Sequence, residues 1–206
     1  MPDLGKRALS KRMRREQILI AALDEFEAYG YFGARIDRIA STVGISSGAI
    51  YFHFESKETL FFAVIGKFAP SIEPITTPDT NTPIAATLAD YLRYLHTRIT
   101  ADPVARNVLH LVVAEGRHFP QFVEDFFTDF MEPALAGLRS LLEIGIERGE
   151  LRETALLRNP EILLSPAVLA NNWTVTFKDR RPLDQEAYLD TYISLFLNGI
   201  CLPPQQ

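Results

Sequence analysis

The chain has 206 residues, of which 47% are hydrophobic and 23% charged, with one cysteine and a formal net charge of −5. That composition supports a real apolar core and excludes collagen-like, disordered and disulfide-framework classes. Cys201 has no partner, so neither an oxidising compartment nor a zinc site built on paired cysteines is expected. The acidic sum looks unfavourable for nucleic acid, but it averages unlike segments. Residues 1–60 carry 9 basic and 8 acidic side chains, residues 61–206 carry 12 and 18, and residues 6–15 (KRALSKRMRR) hold six Lys or Arg and no acid.

After this basic arm, Ile18, Ala22, Phe26 and Tyr29 recur on one helical face, and Gly30 ends the helix. The apolar stretch Ile18–Leu23 is only six residues, too short for a signal-peptide core. Ile36, Ile39, Ala40 and Val43 predict a second, shorter helix ended by Gly44. Ser46 or Ser47 then caps a third through about Phe52, and Ser56, with Glu58 and Thr59 following, caps a fourth running toward Phe68. Residues 69–83 contain prolines 70, 74, 78 and 83 and read as a loop.

Beyond it the pattern stays helical. Leu88, Leu92, Leu95 and Ile99 mark a helix over 84–100, and Asp102 with Pro103 opens one to about Gly116. Phe122, Phe126, Phe130, Leu138, Leu141 and Leu142 mark a long segment over 120–149, kinked at Pro133. Asn159 with Pro160 starts a helix through Phe177, and 184–199 forms the last. No period-2 stretch argues for a sheet, and no apolar run approaches the ~18 residues of a membrane span. The expectation is an all-α, cytoplasmic protein of about nine helices, with a three-helix N-terminal domain over 1–60 and a helical domain over 61–206.

Residues 36–54 (IDRIASTVGISSGAIYFHF) fill the slots of a helix-turn-helix over about 35–54. Ile39, Val43, Ile45 and Ile50 supply apolar contacts, Ala40 the close approach and Gly44 the turn. The second helix of the pair is too short to serve the core. Its N-terminal end, Ser46, Ser47, Gly48 and Ala49, is small enough for a backbone to approach DNA, where unpaired N–H groups favour phosphate. Ile50 and Phe54 share the inner face. Tyr51 and His53 turn outward as phosphate hydrogen-bonders, and Lys57 pairs with the same backbone. Lys11, Arg12 and Arg14 of the arm complete the expected DNA-contacting set.

These residues resemble the DNA-binding domain of the tetracycline-repressor (TetR) family of transcriptional regulators. The likeness runs from Tyr29–Gly30–Tyr31 through Ile39–Ala40 and Gly44 to the string GAIYFHFESKETL at 48–60. It implies that Ser47, Gly48, Ala49, Tyr51, Phe52 and His53 lie on or just after the recognition helix, that Arg35 and Arg38 flank the first helix of the motif, and that Lys57 is the phosphate-binding lysine. Ile36 stands where the family often has Thr, which weakens the cap and one phosphate contact. Ser47 stands where many members carry a basic residue, which leaves more of the recognition to the arm and to DNA shape.

The same resemblance implies a C-terminal domain that binds a small effector and dimerises. The string VVAEGRHFPQF (112–122), with Arg181, Leu183 and FLNGI (196–200), is similar to the variant found in AefR-type regulators. Asn107, His110, Phe122, Phe126, Asn172 and Trp173 are the effector-binding candidates, and the many Phe residues favour an apolar or aromatic effector. A C2 homodimer through 160–178 and 184–200 would read a pseudo-palindromic operator with two half-site contacts. No cofactor or metal is expected: the four histidines form no HExxH, no Gly-rich phosphate loop or GxSxG occurs, and His110, Glu115 and His118 are read as structural or exposed. An enzyme is therefore disfavoured. A helical carrier with a vestigial helix-turn-helix is the other alternative, and the clustered charge of the arm speaks against it. The reading is a repressor that an effector releases from operator DNA.

Overall fold

A computed structural model describes residues 3–73, 75, 78, 79, 81–177 and 179–203, apart from the side chains of residues 3–8. Pro74 of the proline-rich loop, Lys178 of the first expected dimer segment and the side chains of Lys6 and Arg7 lie outside them. The protein is all-α. Among the described residues the sole extended pairing is one isolated antiparallel bridge, Leu151 with Cys201, and no helix is long and apolar enough to cross a membrane.

The chain forms two compact units, one of Met1–Ala69 with Asn107–Glu124 and one of Pro70–Arg106 with Asp125–Gln206. The first contains α1 (Asp3–Gly33), α2 (Ile36–Val43), α3 (Ser47–His53) and α4 (Lys57–Phe68). Its core is Ile18, Leu19, Ala22, Phe26, Ile39, Ala40, Ile50, Phe54, Leu60, Phe61, Val64 and Ile65, all buried. The basic arm is not a separate extended segment but the opening turns of α1. Tyr29, expected on the inner face, is 55% exposed, and the Arg38 guanidinium lies 4.1 Å above its ring.

Gly30 does interrupt α1, with φ 65° and ψ 177°, a conformation open essentially to glycine, and helical turns resume as far as Gly33. A Cβ there would fall 2.7 Å from Glu115 Oε1. Gly30→Ala is therefore expected to cost about 1–3 kcal/mol, which urea denaturation would register as a lower midpoint at unchanged m.

The first unit also recruits the end of α6 (Pro103–Glu115), a 3-10 turn over Gly116–His118 and the start of α7 (Pro120–Phe126). Aromatic packing holds this segment. Phe119 meets Tyr31 edge-on with centroids 4.7 Å apart, Phe122 stacks flat on Phe62 at 4.6 Å, and Phe61 packs on Phe122 at 6.0 Å. Such pairs contribute roughly 0.5–1.5 kcal/mol each beyond their burial.

The second unit is built on α5 (Ile84–Thr100), α8 (Glu132–Glu147), α9 (Ser165–Phe177) and α10 (Gln185–Ile200). Its core runs through Leu88, Leu92, Leu95, Leu135, Leu138, Leu141, Leu142, Leu163, Leu164, Leu189 and Ile193. Two breaks trace to proline. Before Pro133 the helix passes through a π turn over Phe127–Met131, since proline offers no N–H to the preceding turn and its ring needs room. Before Pro166 the chain winds as a 3-10 stretch over Pro160–Leu164 instead of the α-helix expected from Asn159, whose side chain makes no cap bond. Pro83 cannot supply a side-chain cap to α5, and the Glu150 carboxylate takes that place, accepting from the Ile84 N–H at 2.7 Å. Arg148 donates to the carbonyls of Pro78, Asp79 and Thr82, which anchors the proline-rich loop.

Candidate nucleic-acid interface

The turn between α2 and α3 follows from Gly44. It sits in the left-handed region at φ 73° and ψ 39°. Its N–H donates to Ser41 O and that of Ile45 to Ala40 O, so the last carbonyls of α2 are paired and the chain leaves at a fixed angle. Of the two candidate caps, Ser46 is the one used: its Oγ accepts from the Ala49 N–H at 3.2 Å. Ser56 repeats the device on α4, accepting from the Thr59 N–H at 3.0 Å. Ile39, Ala40 and Ile50 close the pair from inside, while Val43 and Ile45 are only half-buried.

This packing sets what α3 presents. Ser46 and Gly48 are exposed, Ser47 and Ala49 half-buried, and Tyr51 and Phe52 project outward, Phe52 to 74% exposure. Lys11, Arg12 and Arg14 are exposed on α1. Lys11 Nζ lies 5.1 Å from the Phe52 ring centre, and Arg15, one turn on, places its guanidinium 4.9 Å from that of Phe54. The basic helix is thus laid against the C-terminal end of α3. His53 departs from the outward position expected for it. Its ring is half-buried and its Nδ1 is enclosed without a partner. Burial first, then the charges of Lys11, Arg15 and Arg14, hold its pKa below the ordinary value.

The two arginines divide. Arg35 is exposed and pairs with Asp37, Nε to Oδ1 at 3.0 Å and Nη2 to Oδ2 at 2.8 Å. Arg38 turns inward. It donates through Nε to Glu25 Oε1 at 2.7 Å and through Nη2 to Gly33 O at 2.7 Å. The same buried Glu25 accepts from the Arg35 N–H at 2.8 Å, so one carboxylate ties the start of α2 to α1. Lys57 also faces inward. Its Nζ donates to Ala34 O at 2.6 Å and lies 4.8 Å from the centre of the Tyr31 ring, and burial lowers its pKa. In this form Lys57 closes the α1–α2 turn.

Of the two roles expected for Glu115, structural or exposed, it takes the structural one. Its Oε1 accepts from the Tyr31 N–H at 2.9 Å, at the turn that Gly30 makes possible. His118, read beside it, instead meets the Phe32 ring edge-on at 4.8 Å.

The effector candidates are divided between the two units. Asn107, His110 and Phe122 belong to the first unit and Phe126, Asn172 and Trp173 to the second. His110 and Asn172 are exposed, Asn107 is half-buried, and Phe122 and Phe126 are core residues. Trp173 Nε1 donates to Arg181 O at 2.7 Å and its ring packs on Phe177, so it fastens the turn before α10. The neighbour of Asn172 is the buried one: Asn171 is enclosed and its Oδ1 has no partner.

A more suggestive group lies elsewhere in the second unit. His96 on α5 is buried with neither ring nitrogen bonded, and the Tyr192 hydroxyl on α10 is likewise enclosed and unbonded. Each such group costs roughly 1–3 kcal/mol while unmet. Burial lowers the His96 pKa and pushes that of Tyr192 up to about 12. For both His53 and His96, the unfolded chain binds a proton below the ordinary value of 6.5 before the folded chain does. Stability should therefore be flat above about pH 6.5 and fall as pH drops below it. Urea midpoints from about pH 7.5 to 5 would show this fall, and His96→Leu should flatten part of it.

Two family models match. The one for bacterial regulatory proteins of the tetR family covers residues 18–64, and the one for the tetracyclin repressor-like C-terminal domain covers 77–193, more than half of the chain. Among curated proteins, the transcriptional regulator RutR of Escherichia coli K12 is 39% identical over 61 residues, 30% of this chain and 29% of RutR. The transcriptional repressor AcnR of Corynebacterium diphtheriae is 47% identical over 64 residues, 31% of this chain and 33% of AcnR. These matches thus span about a third or less of the relatives' length. Among solved structures, the regulator FadR of Bacillus subtilis, in complex with stearoyl-CoA, is 19% identical, with a TM-score of 0.65 over 89% of this chain and 98% of that one. At that identity the likeness is one of fold.

Proposed function

Because this chain belongs to the tetR family of bacterial regulatory proteins, we propose that it is a cytoplasmic repressor that occupies operator DNA and is released by a small apolar or aromatic effector. The observation that carries this reading is the short capped helix α3. Its small N-terminal residues Ser46, Gly48 and Ala49 and its exposed Tyr51 and Phe52 stand beside the basic face of α1. Lys11, Arg12, Arg14 and Arg35 are the cations placed to meet phosphates, and Ser47, Gly48 and Ala49 let the backbone approach the groove. Arg38 and Lys57 serve first to hold α2 and α4 against α1, and they contribute to DNA through that placement.

A homodimer supplies the second half-site contact. Its support is the exposed apolar surface of Val168, Leu169, Val175 and Phe177 on α9 and of Leu195 on α10, residues too numerous to leave in water without purpose. The division of labour between residues 1–60 and 61–206 belongs to the same reading, as does the AefR-type character of the second domain. FadR carries a ligand with an apolar acyl chain, and this chain's leucine-rich second unit suits an apolar effector.

The test is fluorescence anisotropy with fragments upstream of the protein's own gene and its neighbours, at fixed salt, with random duplex as reference. Binding roughly 10³-fold or more tighter than to random duplex is expected for a specific regulator. Equal affinity for every duplex, or a sedimentation profile of monomer at micromolar concentration with DNA bound one chain per site, would remove this reading.

A further inference from the structure

We infer that the second unit contains a ligand site made by His96 and Tyr192, in the cleft between α5, the 3-10 stretch at Leu163–Leu164 and the start of α10, for an uncharged apolar molecule bearing one hydroxyl or carbonyl group. This inference rests on the effector-responsive reading for its regulatory meaning, but its chemistry stands on the cleft itself.

Leu92, Leu95, Leu163, Leu164 and Leu189 supply the cleft's apolar wall, and His96 and Tyr192 are the side chains in it with polar groups. His96 is 5% exposed, and both its nitrogens lack partners, as does the Tyr192 hydroxyl. Core positions on leucine-rich helices are normally filled by apolar side chains, and buried polar atoms are normally bonded. Two unmet groups lining one cleft therefore point to a partner from outside the chain. A neutral imidazole offers one donor and one acceptor, and a phenol can do either. Burial favours the neutral forms of both His96 and Tyr192, so the cleft offers donor and acceptor atoms to a hydroxyl or a donor to a carbonyl. No Lys, Arg, Asp or Glu lines the cleft. A carboxylate or phosphate would be buried there without a countercharge, which selects against acyl-CoA and free acids.

The cleft measures about 10 Å³, the room of roughly one water molecule. A ligand must therefore part its walls, and the wall most easily moved is Leu163–Leu164. These residues lie on 3-10 backbone, whose hydrogen bonds are poorer in geometry than α-helical ones, and Pro166, second residue of α9, follows after Ser165. Displacing that stretch moves the end of the helix bearing the exposed Val168 and Leu169.

The experiment uses the full chain, with 4-ethylphenol and its charged counterpart 4-ethylbenzoate as probes, read by isothermal titration and by ¹H–¹⁵N shifts, and with melting of the free protein followed in parallel. The expected result is saturable binding of 4-ethylphenol, at least tenfold weaker binding of 4-ethylbenzoate, and at least a tenfold loss of 4-ethylphenol affinity in both Tyr192→Phe and His96→Leu. At neutral pH the free variants should melt no lower than the parent, since each loses an unmet polar group. The site is overturned if 4-ethylphenol does not bind saturably, if the benzoate binds as well, if both variants bind like the parent, or if both melt markedly lower. Loss of the site with specific DNA binding intact leaves the regulator standing. Binding of 4-ethylphenol that leaves DNA affinity unchanged supports the site and removes the effector role.

Discussion

Glu25→Ala is expected to lower the stability of the protein by about 2–3 kcal/mol and to abolish specific DNA binding. The reason is the number of groups that converge on one buried carboxylate. It accepts from the Arg35 N–H at the start of α2 and from Arg38 Nε, and its removal orphans both donors while Arg38 Nη2 keeps its bond to Gly33 O. The cost falls below the roughly 3–5 kcal/mol of a fully buried pair because Arg38 keeps part of its side chain in water. In a chain of this length the loss corresponds to a fall in melting temperature of about 5–10 °C. Glu25→Gln keeps an acceptor oxygen and should lose about half as much. The DNA effect follows from geometry: without the tie, α2 is no longer fixed on α1, and α3 leaves α2 through the rigid turn at Gly44. Melting curves alongside anisotropy would check both parts. A Glu25→Ala protein that melts like the parent would show that the packing of Ile39 and Ala40 alone positions α2.

The second large effect is electrostatic. Replacing Lys11, Arg12 and Arg14 together with alanine should leave the fold intact, since all three are exposed on one helix, and should weaken binding to specific and random duplex alike. The salt dependence is the diagnostic. Each phosphate contact contributes ~0.9 to the slope of log K against log salt, so losing three from each chain of an operator-bound dimer should flatten it by ~5.4. A slope unchanged within error would place these cations away from the backbone and transfer the electrostatic role to Arg35 and the turn before α4.

Much of the architecture was legible in the residues because the responsible physics is local. Ser46, Ser56, Asp102 and Asp184 each accept from an N–H two or three residues ahead, and such caps leave a short-range signature. The inner residues Ile39, Ala40, Ile50 and Phe54 follow from period alone. What escaped was of three kinds. The first is long-range polar pairing. Glu25 with Arg38, Glu115 with the Tyr31 N–H and Glu150 with the Ile84 N–H are separated by 13, 84 and 66 residues, and nothing in a window of one helix announces them. The second is angular error. One residue is about 100° on a helix, so Asn171 is buried while Asn172 faces solvent, and Tyr29 lies outside the stripe set by Ile18, Ala22 and Phe26. Lys57 illustrates a third difficulty. A lysine near a predicted DNA surface reads as a phosphate contact, yet backbone carbonyls at the α1–α2 turn compete for the same ammonium. His96 gives no sequence signal, because an imidazole amid leucines forms no motif.

Residues 107–124 pack with the first unit although more than thirty residues of the second separate them from α4. The polypeptide therefore crosses between the units three times, after residues 69, 106 and 124. The boundary that looks natural in the sequence, the proline-rich loop, is a poor place for recombination. A gene fusion joined there would inherit Tyr31, Phe61 and Phe62 without the Glu115, Phe119 and Phe122 they pack against. Descent by exchange of halves must then carry a third, internal piece in step with the first sixty-nine residues, so the reader of DNA and its inner clasp are expected to co-vary as one heritable unit.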